Sequence, residues 1–94
     1  MYINQVPFSL FEVKTILCRL AGLSRKQTGK CLCCSENSIK NYLSNIYLKL
    51  EVHNVQQLIT TAMQLGFCVN GCYKGQLLLS PDELQRLKQY QKRH

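Results

Sequence analysis

The sequence predicts an all-α fold: a four-helix domain over residues 8–67, preceded by a short lead-in (1–7) and followed by a C-terminal extension (68–94) that ends in a fifth helix. Three observations predict it. Helix-start residues recur at Ser9, Ser24, Ser35, Asn54 and Ser80. Apolar residues behind them fall at the three- and four-residue spacing of helices packed on one side. The 94 residues, 46% hydrophobic and 18% charged, suit one domain with one modest core.

The first helix opens on Ser9-Leu10-Phe11-Glu12, a capping box in which hydroxyl and carboxylate each satisfy an orphan backbone N–H. Val13, Ile16, Leu17 and Leu20 form its stripe, and Gly22 is a natural stop. Ser24-Arg25-Lys26-Gln27 starts a second, short helix over Arg25 to Leu32. Gly29 in its middle costs about 0.5–1 kcal/mol against Ala and permits a close crossing. Cys33-Cys34 is the turn. Ser35 caps the third helix, Glu36 to Leu50, with Ile39, Leu43, Ile46 and Leu50 on the inner side and Asn37, Lys40, Asn41, Ser44 and Leu48 opposite. Asn54 caps the fourth, Val55 to Phe67. Its inner face is Val55, Leu58, Ile59, Ala62, Leu65 and Gly66, while Met63 and Phe67 lie outward beside Gln56 and Thr60 and require a cover. Asn70-Gly71 signals a tight turn, so 67–69 and 72–74 form either a very short hairpin or a loop. Ser80-Pro81-Asp82-Glu83 starts the last helix, whose stripe is only Leu84, Leu87 and Tyr90.

Twelve Lys and Arg against five Asp and Glu give a net charge of +7. Such a field attracts polyanions, either nucleic acid or an anionic membrane face. No apolar run approaches the ~20 residues of a bilayer span, and the first residues lack the basic and apolar segments of a secretory signal. Six cysteines are too sparse for a secreted disulfide scaffold. In the cytoplasm, the expected location, they serve as small packing thiols. No His lies near the cluster Cys31, Cys33 and Cys34, and Cys68-x₃-Cys72 makes at most half of a metal site. The expectation is no metal and no cofactor. No Ser/His/Asp or Cys/His arrangement sits on a definable cleft, so the chain is not expected to be an enzyme.

The second and third helices, joined by a short turn, have the form of a helix-turn-helix, whose later helix enters the DNA major groove. Here the sequence closely resembles the LuxR/GerE family of bacterial DNA-binding domains. Phe8-Ser9-Leu10-Phe11-Glu12 matches the family's opening LTPRE in its hydrophobic residue, its cap and its Glu. Ala21 to Gln27 matches xGLSNKE. Ser35 to Leu50 matches SExTVKxHLxNIxxKL nearly throughout, and Val52-His53-Asn54 with Gln57 matches VxNRxQ. The resemblance runs in order over about residues 8–67.

The resemblance implies that Lys40, Asn41 and Ser44 touch base edges, with Asn37 a further candidate. Their chemistry agrees: Lys suits guanine O6/N7, Asn pairs with adenine N6/N7, and Ser reaches either base type. Candidates for phosphate contacts are Ser38, Tyr42, Lys49, Arg25, Lys26 and Asn54, the last at a helix N-terminus. Arg25 and Lys26 also fit a merely solvated first turn. In the family the fourth helix commonly pairs two domains, which gives Gln56, Thr60, Met63 and Phe67 a dimer interface. The rival arrangement is that the tail helix covers this patch within one chain. The sequence departs from the family pattern at Phe11, where an Arg is usual, at Thr15 and Arg19, where apolar residues are usual, and at Cys33, often Gly. A non-Gly residue at positive φ there costs about 1–2 kcal/mol.

The expected function is a sequence-specific, double-stranded-DNA-binding transcription regulator, dimeric through the fourth helix or the tail. The alternative is a protein-interaction module that pairs with, and modulates, a full-length regulator of the same family. No membrane partner is expected.

Overall fold

A computed structural model describes residues 1–91; the last three residues of the expected extension lie outside them. The order of elements is β1 (Tyr2–Ile3), β2 (Val6–Pro7), α1 (Leu10–Leu20), α2 (Arg25–Leu32), α3 (Glu36–Leu50), α4 (Val55–Leu65), β3 (Phe67–Cys68), β4 (Cys72–Tyr73), β5 (Gln76–Leu77) and α5 (Pro81–Gln91).

The capping signals work as their chemistry dictates. In α1 the Ser9 hydroxyl accepts from the Glu12 N–H at 3.1 Å, and the Glu12 carboxylate accepts from the Ser9 N–H at 2.8 Å. Ser24 and Gln27 do the same for α2, and Ser80 and Glu83 for α5. The Ser35 and Asn54 side chains accept from the N–H of Ser38 and Gln57. Each saved donor contributes about 1 kcal/mol.

The stripes meet in one core. Val13, Ile16 and Leu17 of α1 pack with Ile39, Leu43 and Ile46 of α3 and Leu58 and Ala62 of α4, all buried. The α2–α3 turn is tight. A Cβ at Gly29 would lie 2.7 Å from the Cys34 carbonyl oxygen, and the Cys34 N–H donates to the Gly29 carbonyl at 2.8 Å. The close approach expected at Gly29 is therefore to the turn backbone, not to a crossing helix. Cys33 takes the left-handed conformation (φ 59, ψ 42) that closes α2, the strained geometry anticipated for a non-glycine residue.

Two corrections concern strands. The fold is mostly helical, not purely all-α. The lead-in is a hairpin, β1 with β2, turning on Asn4 and Gln5 at positive φ, and it delivers Ile3 to the core. Beyond α4, β3, β4 and β5 form an antiparallel meander. Gly71 closes the first turn at φ 84, and Lys74 and Gly75, both at positive φ, make the two-residue second turn.

The third correction concerns Phe67. Helix α4 stops at Leu65 because Gly66, at φ 106, caps it in the left-handed region. Phe67 is therefore in β3, buried, with its ring 4.5 Å from that of Tyr73. It is not on the outer face of α4 and cannot serve there as a dimer contact.

The fifth helix docks against α2 rather than over α4. The Arg86 Nε donates to the Cys31 carbonyl at 2.7 Å, and the Cys31 thiol donates to the Glu83 carbonyl at 3.3 Å. Lys14 of α1 pairs with the Glu83 carboxylate at 2.9 Å. Met63 stays exposed, so the tail helix is not its cover.

Candidate nucleic-acid interface

Burial of Ile39, Leu43 and Ile46 fixes the rotation of α3 about its axis and sends the opposite side outward. Asn37, Lys40, Asn41 and Ser44 are all exposed on that side. The Ser44 hydroxyl donates back to the Lys40 carbonyl at 3.1 Å, which leaves its oxygen free to accept. The four base-contact candidates therefore share one polar, singly cationic surface.

One flank of that surface is a groove. Arg19, Arg25, Lys40, Ser44, Tyr47, His53 and Asn54 line a depression of about 460 Å³ between α3 and the starts of α2 and α4, with no carboxylate in its wall. Arg25 and Lys40 also border a neighbouring depression with Asn37 and Glu36. Arg25 and Asn54 are exposed at helix N-termini, where free N–H groups and the macrodipole favour an anion. The Asn54 carbonyl oxygen caps its own helix, so its amide NH₂ is the group left to donate outward. Lys26 is exposed one residue beyond Arg25 but does not line this groove.

Arg19 and His53 are groove residues that the sequence did not assign. The signal was present for Arg19, a cation where an apolar residue is usual. Its guanidinium donates to the Leu23 carbonyl at 2.8 Å and so is braced at the end of α1. The His53 N–H donates to the Gln57 side chain at 2.7 Å, which holds it beside the start of α4.

On the other flank Tyr42 is half-buried and stacks on Phe11, with ring centroids 5.9 Å apart and planes 14° from parallel. Ser38, also half-buried, takes a hydrogen bond from the Ser35 hydroxyl at 2.9 Å. Lys49 differs from its expected role. Its ammonium lies 2.6 Å from the Glu12 carboxylate and over the Phe8 ring at 5.1 Å. Burial works to raise the Glu12 carboxyl, but the Lys49 ammonium and the Ser9 N–H outweigh it and hold its pKa below the ordinary value. Lys49 therefore ties α3 to α1, with its ammonium engaged by Glu12 and Phe8.

On α4, Gln56, Thr60 and Met63 are exposed together, Met63 at 56%. Among the described residues no group of three or more His, Cys, Asp and Glu could hold a metal ion. Cys31 and Cys34 have knuckle spacing, yet their thiols donate to different carbonyls, those of Glu83 and Leu32. Among the described residues no helix is long and apolar enough to cross a membrane.

The profile described as "Bacterial regulatory proteins, luxR family" matches residues 12–62, which is more than half the chain and runs from α1 into α4. No curated protein and no solved structure matches. The matched stretch holds the α2–turn–α3 unit and its exposed polar face, and leaves out the N-terminal hairpin and everything after Ala62. By that match the chain belongs to the luxR family of bacterial regulatory proteins, a family of DNA-binding regulatory domains.

Proposed function

We propose that this protein binds duplex DNA sequence-specifically, as a cytoplasmic transcription regulator, with α3 in the major groove. The observation that carries the reading is the outward set Asn37, Lys40, Asn41 and Ser44 beside a groove walled by Arg19, Arg25 and His53. Amides, a hydroxyl and a lysine on one helix face can discriminate base edges, and the cationic flank can seat a phosphate ridge. Arg25, Lys26 and Asn54, with Ser38 and Tyr42 on the far flank, are the backbone contacts of this reading. Selection of bound sites from random duplex DNA at stated salt tests it: an enriched sequence and a steep salt slope are expected. Lys40→Ala is expected to weaken the selected site by about 1–3 kcal/mol and relax preference at one base pair. Unchanged titration would remove α3 from the groove.

Two copies are proposed to pair through α4, using Gln56, Thr60 and Met63 and placing the two recognition helices about one DNA turn apart. Met63→Asp is expected to give a monomer in sedimentation, and a persisting dimer would move the interface to the extension.

A second reading is favoured by the exposure of Met63. The chain then acts as a pairing module that engages a full-length regulator of the same family through α4. Co-sedimentation with such a regulator, together with weak DNA affinity of the chain alone, would select this reading.

A further inference from the structure

Cys68 and Cys72 lie outside the apolar core and beyond the stretch that the family profile matches. Strands β3 and β4 set them directly opposite each other, so their side chains stand on one face of the hairpin. The Lys74 N–H donates to the Gly66 carbonyl at 2.9 Å two rungs earlier. Bonded and non-bonded rungs alternate, so Cys68 and Cys72 make a bonded rung, with Cα atoms about 5.5 Å apart. A disulfide spans about 4.4–6.8 Å between Cα atoms, most often near 5.5–6 Å. The Cys68 thiol already leans across the gap, donating to the Cys72 carbonyl at 3.4 Å. The Cys72 thiol is pushed up by burial and, after that, by the Cys68 sulfur beside it. Both thiols are free and partly open to solvent, whereas Cys18 and Cys31 are shut in the core.

We infer that Cys68 and Cys72 form a reversible thiol–disulfide site whose co-reactant is a small disulfide of the glutathione class. The inference is independent of the DNA-binding reading. One cysteine thiolate attacks a sulfur of glutathione disulfide, whose S–S bond breaks. The first glutathione leaves as a thiolate and takes up the proton that the cysteine lost. The second cysteine, as thiolate, attacks the protein sulfur of the mixed disulfide and expels the second glutathione, which takes up the second proton. Two electrons pass from the chain to glutathione, giving one intrachain disulfide and two glutathione thiols. The closed bond fixes the turn on which the extension rests. The Gly71 carbonyl accepts from the Leu78 N–H at 3.2 Å, and a Cβ at Gly71 would lie 3.1 Å from the Leu79 side chain and 3.4 Å from that of Leu84 in α5.

The test equilibrates the full chain, folded and in urea, in glutathione buffers of stepped thiol-to-disulfide ratio, then alkylates and cuts with trypsin. The peptide of residues 50–74 holds Cys68 and Cys72 and no other cysteine. Closure therefore reads as that peptide unalkylated and two hydrogens lighter. The folded chain is expected to close at this pair with an equilibrium constant about tenfold or more above that in urea, the weight of a small loop already formed by the fold. Cys68→Ser is expected to stop at the mixed disulfide, with glutathione held on Cys72, and circular dichroism checks that it folds. A folded chain whose two thiols stay alkylatable at ratios that close the unfolded chain overturns the inference. So does a constant no greater than that in urea, or a disulfide formed at other cysteines in preference.

Discussion

Helices α1 to α4 and the last helix, α5, are held by different proportions of apolar and polar contact. The first region closes around apolar side chains from each of its helices, with Val13, Leu17, Ile39 and Ile46 essentially inaccessible. The last helix buries Leu87 fully and Leu84 and Tyr90 in part. Polar contacts supply its position: Lys14 to Glu83, Arg86 to the Cys31 carbonyl, and Gln91 to the Ala21 carbonyl. Apolar burial is indifferent to pH and weakly sensitive to salt, whereas ion pairs depend on both. The contrast teaches that the extension joins the common core through Phe67, Leu79 and Leu87, while the placement of its helix also depends on contacts that conditions can weaken.

The largest expected effect lies in the core. Ile46→Ala should cost about 2–5 kcal/mol, a transfer loss plus a cavity, and urea titration should show one transition for the whole chain moved to lower denaturant. A loss under 1 kcal/mol would mean that the core is looser than its burial implies.

The next effect separates the two regions. Glu83→Gln removes the charge of a mostly buried ion pair and should cost about 2–3 kcal/mol locally, because Lys14 is left without its partner. Amide exchange should quicken along α5 and stay slow in α1 and α3. Acid should do the same to the wild type. Burial works to raise the Glu83 carboxyl, but the Ser80 N–H and the Lys14 ammonium hold its pKa below 4.5. A carboxyl lowered on folding stabilises above its unfolded value and loses that contribution as pH falls through the folded value. Exchange in α5 should therefore rise below about pH 4.5 in wild type and be flat in Glu83→Gln. Equal acid sensitivity of the two proteins would erase the distinction between the regions.

The smallest effect is a gain. Cys33→Gly relieves a left-handed non-glycine residue at the helix-turn-helix corner and should raise stability by about 1 kcal/mol, read as a higher thermal midpoint. A fall would mean that the Cys33 side chain makes a contribution its exposed position does not suggest.

Legibility in the sequence followed the range of the physics. The bounds of α2 and α3 could be read to the residue, because Ser24, Gln27 and Ser35 act on donors two or three positions away. The outward face of α3 was legible because burial of Ile39, Leu43 and Ile46 leaves it one orientation. The overrun of α4 came from reading apolar Phe67 as part of a helical stripe when Gly66 had already ended the helix. The lead-in hairpin escaped because its strands are two residues each and its turn is Asn4-Gln5, without the glycine that usually marks one. The pairing of Lys49 escaped for a longer-range reason: its partner Glu12 is 37 residues away, and only the packing of α1 on α3 brings the charges together. Arg19, from α1, and His53, from the loop between α3 and α4, joined the groove in the same way, through segments that meet only after folding.

The hydrogen atom that position 29 carries in place of a side chain has a lasting effect on how this protein can change. With the carbonyl oxygen of Cys34 only 2.7 Å from where a methyl group would sit, the start of α3 is set against α2 by two pieces of main chain in close contact, with no side chain between them. If α3 reads DNA as proposed, new target sequences should be reached by exchanging what projects from that helix, and seldom by re-aiming it.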